Sequence, residues 1–210
     1  MCSIRTAESV CAGHPDKLAD QIADQILDDI LYDDKAARVA VEVMAAGRRI
    51  IVTGEITTNH RPRIRESVRT ALARAGYSPL GILIYVWTRR QSSDINAGVT
   101  TSLEARGGDS SAFALQGAGD QGTVYGYATA ETPERLPLPL VLAHRICERL
   151  DTAQVEGTIC GIKSDGKAQV SVRYDDTGAP AAVETVVVSV QHEAGKDLAV
   201  LEREVRSLIV

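Results

Sequence analysis

A ten-residue segment near the start of the chain carries side chains that together could bind phosphate and metal. It runs from Glu8 to Lys17 as E-S-V-C-A-G-H-P-D-K, and helical apolar spacing begins directly after it. Pro15 suits the first position of a helix, because its missing N–H would be unpaired there. The free N–H groups and the dipole of a helix N-terminus favour an anion, and Asp16 could hold a divalent cation that binds a phosphate. The cluster predicts a phosphate and metal site, although Asp16 alone would also serve to neutralise the helix dipole.

Two glutamates lie on the two strands of a predicted β-hairpin. With the turn centred on residues 46–47, Glu42 faces Ile51, and both glutamates point to the same face of the sheet. An acid in a half-buried strand needs a cationic partner. A bound cation, an ammonium ligand or an arginine would serve, and Arg38 lies near Glu55 in this register. Spacing alone favours a binding role and a structural ion pair equally.

Two further motifs place polar side chains beside glycine. Asp165-Gly166-Lys167 is interpreted as a turn before a strand, from which the lysine could reach a phosphate. Asp120 lies between Gly119 and Gly122, which would permit a close backbone approach to a ligand. By themselves, the first motif is more typical of an ordinary turn, and the second fits either role.

The elements that must position these residues form two similar series. Helical spacing, alternation and short apolar runs predict their types. The first series is a helix over 17–33, hairpin strands over 38–45 and 48–58, a helix over 62–76 and a buried strand over 81–88. The second is a helix over 137–150, an irregular or weakly extended stretch over 151–165, hairpin strands over 167–175 and 181–191, and a helix over 196–209. Because the second series stops before a strand of its own, we expect either a chain cut short relative to a longer architecture or a short protein whose sheet edge another chain covers.

Composition limits the functions that are compatible with the chain. Of its 210 residues 44% are hydrophobic, which excludes disorder, and a net charge of −5 gives no support for binding nucleic acid or an anionic membrane. The sequence has no apolar span long enough to cross a membrane and no signal peptide. Residues 89–122 are rich in small polar residues, which predicts a functional lid or a linker between two domains. The cysteines lack metal-site spacing and are interpreted as free thiols of a cytoplasmic protein: Cys2, Cys11, Cys147 and Cys160.

Several motifs along the chain are more specific than these general signals. E-S-V-x-x-G-H-P-D-K is followed by G-E-I-T-T at 54–58, Q-S-x-D-I-N-x-G-V at 91–99, G-A-G-D-Q-G at 117–122, G-Y-A-T at 126–129, D-G-K-x-Q-V at 165–170 and S-x-Q-H at 189–192. In this order and spacing the chain closely resembles the S-adenosylmethionine synthetase family, also called methionine adenosyltransferase. The match covers essentially the whole chain, and the first and fourth motifs together are highly specific.

The resemblance implies an α/β fold of the α+β type. Two pseudo-repeated units of β-sheet with helices packed on one face are expected, taken from a three-domain architecture around a pseudo-threefold axis. The N-terminal domain would cover residues 1–100, with a mobile loop at 91–101. The central domain would cover residues 112–210 and be incomplete at its C-terminal end. The resemblance also implies a homodimer or tetramer with the active site at the subunit interface.

The resemblance further implies a reaction and the residues that serve it. The family joins ATP and L-methionine: the methionine sulfur attacks C5′ of ATP, and tripolyphosphate leaves and is hydrolysed to diphosphate and phosphate, with Mg²⁺ and K⁺ assisting. The implied residues are His14 and Lys167 for catalysis; His14, Lys17, Asp120, Asp165, Gly166 and Lys167 for ATP; Glu55 and Gln91 for methionine; Asp16 for Mg²⁺; and Glu42 for K⁺.

Three motifs of the family do not occur in this sequence. They are N-P-T-G-R-F, G-x-x-G-D-x-G-L-T-G-R-K and G-G-G-A-F-S-G-K-D-x-x-K-V-D-R-S, which carry most of the phosphate-binding basic residues and a second metal-binding acid. We therefore expect the isolated 210-residue chain to be inactive or weak. The alternative function is a non-catalytic regulatory or binding subunit that keeps the fold and pairs with a complete synthetase.

Overall fold

A computed structural model describes residues 3–92, 102–111 and 122–209. Asp120 and the predicted mobile loop from residue 93 onward lie outside the described residues. None of the helices in these ranges combines the length and apolar character needed to span a bilayer. In chain order the described elements are β1 (Ser3–Val10), α1 (Pro15–Asp33), β2 (Arg38–Ala46), β3 (Arg49–Thr57), α2 (Ile64–Arg74), β4 (Leu83–Arg89), α3 (Leu103–Arg106), α4 (Leu138–Glu156), β5 (Ile162–Tyr174), β6 (Pro180–His192) and α5 (Leu198–Ile209).

The described strands form two three-stranded sheets. One sheet has the order β1-β5-β6, and both of its pairings are antiparallel. The other has the order β2-β3-β4, in which β2 and β3 form an antiparallel hairpin and β4 lies parallel to β3. Mixed helices and strands in two separate sheets confirm the predicted α+β class.

Strand β1 was not predicted from the sequence. It pairs with β5 along its whole length, from Ser3 opposite Tyr174 to Val10 opposite Lys167. The strand does not show the alternation of hydrophobic and polar residues that predicts a strand. Its Ile4 lies on the outer face of the sheet and is 63% exposed. One of the two neighbours of β5 in this sheet is therefore a strand from the N-terminal part of the sequence.

Contacts between residues divide the chain into two units, which we describe separately. The division cuts across the predicted domains, whose boundaries at residues 100 and 112 remain a prediction. The first unit comprises Met1–Gln21, Arg69–Gly81 and Tyr127–Val210, and the second comprises Ile22–Val68 and Ile82–Gly126.

The first unit has its core between β5, α4 and α5. Strand β5 buries every second side chain, from Ile162 to Tyr174. Helix α4 continues to Glu156, beyond the predicted end at residue 150, because its apolar spacing persists through Ala153 and no helix breaker precedes Gly157. Gly157 ends the helix in the left-handed conformation, with φ 69°. The core includes Ala143, Ile146, Cys147, Leu150, Ala168, Val170, Val172, Tyr174, Leu201 and Val205.

The second unit contains the hairpin of β2 and β3. Ala46 lies opposite Arg49, so the turn is one residue later than predicted, with Gly47 at its first position and φ 55°. Glu42 consequently faces Thr53 rather than Ile51. The inner face of the unit buries Ile22, Ile26, Ile30, Ile50, Val52, Ile56, Ile64 and Val68.

Gly54 in β3 generates a prediction about stability. Its φ is 122°, and an added Cβ would lie 2.1 Å from the carbonyl oxygen of Ala40. Replacement by alanine would therefore combine backbone strain with a clash against the neighbouring strand. We expect Gly54→Ala to lower the free energy of unfolding in urea by more than about 2 kcal/mol.

Gly47 provides the matched control for that substitution. It also has a positive φ, but an added Cβ would meet no atom within 4 Å. Gly47→Ala should therefore lower the free energy of unfolding by only about 1–2 kcal/mol, because the left-handed backbone is the only source of strain. Equal losses in the two variants would show that the clash with Ala40 does not exist.

Candidate functional site

The connection between β1 and α1 carries the predicted phosphate site and lies against β5. The N–H of Cys11 donates to the carbonyl of Gly166 at 2.8 Å, and the N–H of Gly13 donates to the carbonyl of Ser164 at 3.0 Å. A side chain at Gly13 would not fit, because its Cβ would lie 2.5 Å from the Cβ of Ser164. The backbone pairing of β1 with β5 thus continues past the end of β1 and fixes the point at which α1 begins.

His14 forms the N-terminal boundary of α1. Its carbonyl accepts the N–H of Leu18 at 2.8 Å, and its Nδ1 accepts the N–H of Asp16 at 3.3 Å. With Nδ1 as acceptor, a neutral imidazole carries its proton on Nε2. Helix α1 begins at Pro15, the residue that the sequence singled out as a helix starter. The side chain therefore helps to cap the helix and keeps Nε2–H as a donor.

The carboxylate of Asp16 is open to solvent. Its side chain is 93% exposed, and its Oδ2 lies 4.0 Å from Nδ1 of His14. A carboxylate in the first turn of a helix also interacts favourably with the helix dipole. Asp16 can therefore accept a cation from solution without a rearrangement of the chain.

The ammonium group of Lys17 has a partner in the backbone. Its Nζ donates to the carbonyl of Val10 at 2.6 Å in a partly buried position. This contact satisfies the last carbonyl of β1, so Lys17 has a structural role at the junction of β1 and α1. A contact between Lys17 and a nucleotide stays a prediction.

Asp165, Gly166 and Lys167 lie within β5, so the prediction of a turn before a strand is wrong. Pairing with the β1 connection on one side and with β6 on the other keeps this Gly-containing segment extended. Gly166 is buried, and an added Cβ would lie 2.8 Å from Sγ of Cys11. Lys167 forms a salt bridge of 2.5 Å with Glu8, and both side chains are about half exposed, at 45% and 48%. The lysine thus lies on the open face of the sheet.

Three side chains that the sequence analysis did not identify hold the connection in place. Tyr77 donates its hydroxyl to the carbonyl of Gly13 at 2.7 Å, and Gln21 donates its amide to the carbonyl of Ala12 at 2.8 Å. The carboxylate of Asp151 accepts the N–H of Ala12 at 3.1 and 3.2 Å. Gln21 follows Lys17 by one helical turn, which could have identified it. Ala12 and Asp151 are 139 positions apart, and no spacing signal connects them.

Burial changes the acidity of two of these side chains. It raises the pKa of Asp151, although the N–H of Ala12 and the charge of Lys17 act in the opposite direction. Burial and the nearby charge of Asp165 also raise the pKa of Tyr77. The hydroxyl of Tyr77 therefore stays protonated and can donate a hydrogen bond. Burial makes the charged form of the Asp151 carboxyl less favourable.

Glu55 in the second unit has an arginine as its cationic partner, which was one of the open alternatives, but this arginine is Arg89 rather than Arg38. Because β4 lies parallel to β3, Arg89 lies directly opposite Glu55, and the two side chains are 3.0 Å apart. Nε of Arg38 instead donates to Oε1 of Gln91 at 2.9 Å. The sequence missed Arg89 because the hairpin alone gave no position for β4. Glu55 and Gln91 thus each have an arginine partner.

Glu42 is exposed and shares the outer face of this sheet with Glu55. Thr53 lies opposite Glu42, and Trp87 lies opposite Thr53 on β4. Among the residues that the structure describes, no group of three His, Cys, Asp or Glu residues is arranged to hold a metal ion. Glu42 and Asp16 are therefore isolated carboxylates rather than parts of preformed protein cages.

Comparison with known proteins decides the family. The model of the S-adenosylmethionine synthetase N-terminal domain matches residues 3–93, and that of the S-adenosylmethionine synthetase central domain matches residues 115–210. The chain belongs to the S-adenosylmethionine synthetase family. This result confirms the resemblance inferred from the motifs.

Curated relatives support the same family. The chain is 46% identical to the S-adenosylmethionine synthase of Kosmotoga olearia over 211 residues, which are 97% of this chain and 52% of the relative. It is 45% identical to the S-adenosylmethionine synthase of Corynebacterium urealyticum over 196 residues, which are 90% of this chain and 49% of the relative. The chain therefore spans about half the length of the curated relatives that it matches.

The motif residues of this synthetase chain fall into two groups. The residues at the junction of β1 and α1 and those on β5 belong to the first unit. The two glutamates of the hairpin and Gln91, which follows β4, belong to the second unit. Asp120 is outside the described residues. The first group is Glu8, His14, Asp16, Lys17, Asp165, Gly166 and Lys167, and the second is Glu42, Glu55 and Gln91.

Asp151 generates a prediction about the pH dependence of stability. Because its folded pKa is raised, the folded chain binds the proton more tightly than the unfolded chain. The stability of the wild type should therefore fall as pH rises from the ordinary carboxyl pKa of about 4 through the raised value. Asp151→Asn does not titrate, so its stability relative to the wild type should increase as pH rises above about 4 in urea denaturation.

Two controls accompany this measurement. Asp151→Ala leaves the N–H of Ala12 without its acceptor and should be less stable than Asp151→Asn by about 1–3 kcal/mol at all pH values. Glu156→Gln changes an exposed carboxyl on the same helix that does not act on Asp151, and it should follow the wild type. A constant difference between Asp151→Asn and the wild type across the pH range would contradict the raised pKa.

Proposed function

We propose that this chain contributes the ATP and methionine sites for the formation of S-adenosylmethionine from ATP and L-methionine, with release of diphosphate and phosphate. The main support is the cluster at the start of α1, where a helix N-terminus, a capping histidine and an exposed carboxylate meet in a chain of this family. His14 and Asp16 provide the side chains of that cluster. We propose that the chain contributes to this reaction in the cytoplasm. Its relatives are named as synthases.

The proposed chemistry fits the groups at the site. A thioether is a neutral and weak nucleophile, so the rate depends on alignment of the sulfur with C5′ and on stabilisation of the leaving charge. The positive end of the α1 dipole and Nε2–H of His14 suit phosphate oxygens. Lys167 has Glu8 as its partner in an exposed pair of small energy, so a phosphate can compete for the ammonium group.

The residues present are compatible with Mg²⁺ at the ATP site. Mg²⁺ is commonly bound by one or two carboxylates together with substrate phosphates, and Asp16 supplies one exposed carboxylate. When bound, the ion would neutralise negative charge on the tripolyphosphate. Glu42 supplies a single exposed carboxylate for K⁺, with the hydroxyl of Thr53 across the strand pair.

Glu55 and Gln91 are proposed to bind methionine. The carboxylate of Glu55 is 19% exposed, whereas its partner Arg89 is 82% exposed. An exposed ion pair contributes little stability, so the ammonium group of methionine can replace the guanidinium. Gln91 is the first residue of the predicted loop, lies near the end of the described segment at residue 92, and offers an amide to the ligand.

An exposed apolar face on the sheet of the second unit supports assembly with another chain. Met44, Leu83, Tyr85 and Trp87 are exposed on it, and the last two rings are stacked with centroids 6.1 Å apart. A face of this kind is typical of an interface. We propose a homodimer or tetramer with the active site at the subunit interface. The same face favours the alternative function of a non-catalytic regulatory subunit that pairs with a complete synthetase.

Nucleotide binding provides the first test. Lys167→Met should weaken binding of ATP with Mg²⁺ about tenfold in isothermal titration calorimetry, because it removes a charged contact to a phosphate. Lys163→Met is the matched control, since it removes an exposed lysine from the same face of β5 and should leave binding unchanged. Equal affinities in the two variants, or no binding by the wild type, would contradict the proposed ATP site.

Turnover separates the two candidate functions. The isolated chain should form S-adenosylmethionine at least about 100-fold more slowly than the synthase of Corynebacterium urealyticum, because phosphate-stabilising groups of the family lie outside it. Chromatographic assay with ATP, L-methionine, Mg²⁺ and K⁺ measures both rates. Equal rates would refute this expectation. A change in the rate of that complete synthase on addition of this chain would favour the regulatory function.

A further inference from the structure

Two buried thiols meet directly beneath the connection between β1 and α1. Cys11 and Cys147 are each 2% exposed, and Sγ of Cys11 donates to the carbonyl of Cys147 at 3.8 Å. The two sulfurs also act on each other's pKa, which places them side by side. Neither has a part in the function proposed above. Cys160, by contrast, is exposed.

The surroundings of the two sulfurs are unequal. The thiol of Cys11, the hydroxyl of Ser9, the N–H of Ala168 and the charge of Lys17 lower the pKa of Cys147. The neighbouring sulfur, burial and the charge of Asp151 raise the pKa of Cys11. Hydrogen-bond donors and a nearby positive charge favour a thiolate. Because the thiol of Cys11 holds its proton in the hydrogen bond to the carbonyl of Cys147, Cys147 is the nucleophile of the pair and Cys11 is the thiol that retains its proton.

We propose that Cys11 and Cys147 form a redox modification site at which a small hydroperoxide produces an intramolecular disulfide. The sulfur of Cys147 attacks one peroxide oxygen, the O–O bond breaks, and the departing oxygen leaves with a proton as water or an alcohol. The sulfur of Cys11 then attacks the sulfur of the resulting sulfenic acid, the S–O bond breaks, and water leaves with the proton of Cys11. Each sulfur gives up one electron to the peroxide, and a dithiol reductant reverses the change.

Burial selects the oxidant and gives the disulfide a structural consequence. Since both thiols are almost fully buried, a small neutral peroxide can reach them, whereas a bulky thiol reagent cannot. The backbone of Cys11 is bonded on both sides, to Gly166 through its N–H and to His14 through its carbonyl at 3.1 Å. A disulfide would attach this backbone covalently to α4, so the state of the thiols acts on the start of α1.

The test uses the 210-residue chain with Cys2→Ser and Cys160→Ser, which leaves only the two cysteines of the site. After treatment with hydrogen peroxide, denaturation and alkylation, we expect a mass lower by two hydrogen atoms, no alkylation, and a digest in which the peptide of Cys11 is linked to that of Cys147. Dithiothreitol should restore both alkylation sites. Recovery of two alkylated cysteines after peroxide, or a disulfide only between two molecules, would overturn the proposal.

Single variants test the order of the steps. In Cys11→Ala the sulfenic acid of Cys147 should persist and be trapped by dimedone added together with the denaturant, whereas in Cys147→Ala the thiol of Cys11 should remain unmodified. Trapping at Cys11 rather than Cys147 would overturn the assignment of the nucleophile. Circular dichroism confirms that each variant is folded. No ATP or methionine is present in these measurements, so their failure is distinct from failure of the proposed synthetase function.

Discussion

The continuation of β1 pairing beyond the strand itself is the constraint on which the rest of the first unit depends. Two backbone hydrogen bonds, to Gly166 and Ser164, hold the chain against β5 after β1 has ended. They determine the direction from which the chain enters α1. As a result, the capping histidine and the exposed carboxylate of α1 have fixed positions relative to the lysine on β5. A displacement of either strand would move all of these groups together.

Few charged side chains support the connection between β1 and α1. Lys17 closes the end of β1, while Asp151 holds the N–H of Ala12 and bears the penalty of partial burial. The thiol of Cys11 lies within the field of both charged side chains, and the thiol of Cys147 lies within the field of Lys17. The segment that carries the proposed phosphate site is thus supported by titratable groups.

The sequence allowed most helices and both hairpins to be predicted, because their apolar periodicity matches their burial. It did not predict β1, whose inner face carries Arg5, Ala7 and Ser9 instead of a hydrophobic row. It also assigned Asp165-Gly166-Lys167 to a turn, because local turn preference carries no information about strands that pair on both sides. The motifs identified the candidate side chains of the site, but their supports Tyr77 and Asp151 arise from tertiary contacts that no spacing encodes.

The pairing of β1 with β5 also has a consequence for synthesis of the protein. The two strands are separated by 165 positions at their paired residues Thr6 and Ser171. At a translation rate of roughly 5–20 residues per second, β1 would wait on the order of 10–30 s before its partner exists. During that interval it is an unpaired strand on a nascent chain, available to the wrong partners. Pairing of β1, and with it assembly of the sheet of the first unit, can therefore begin only after β5 has been synthesised.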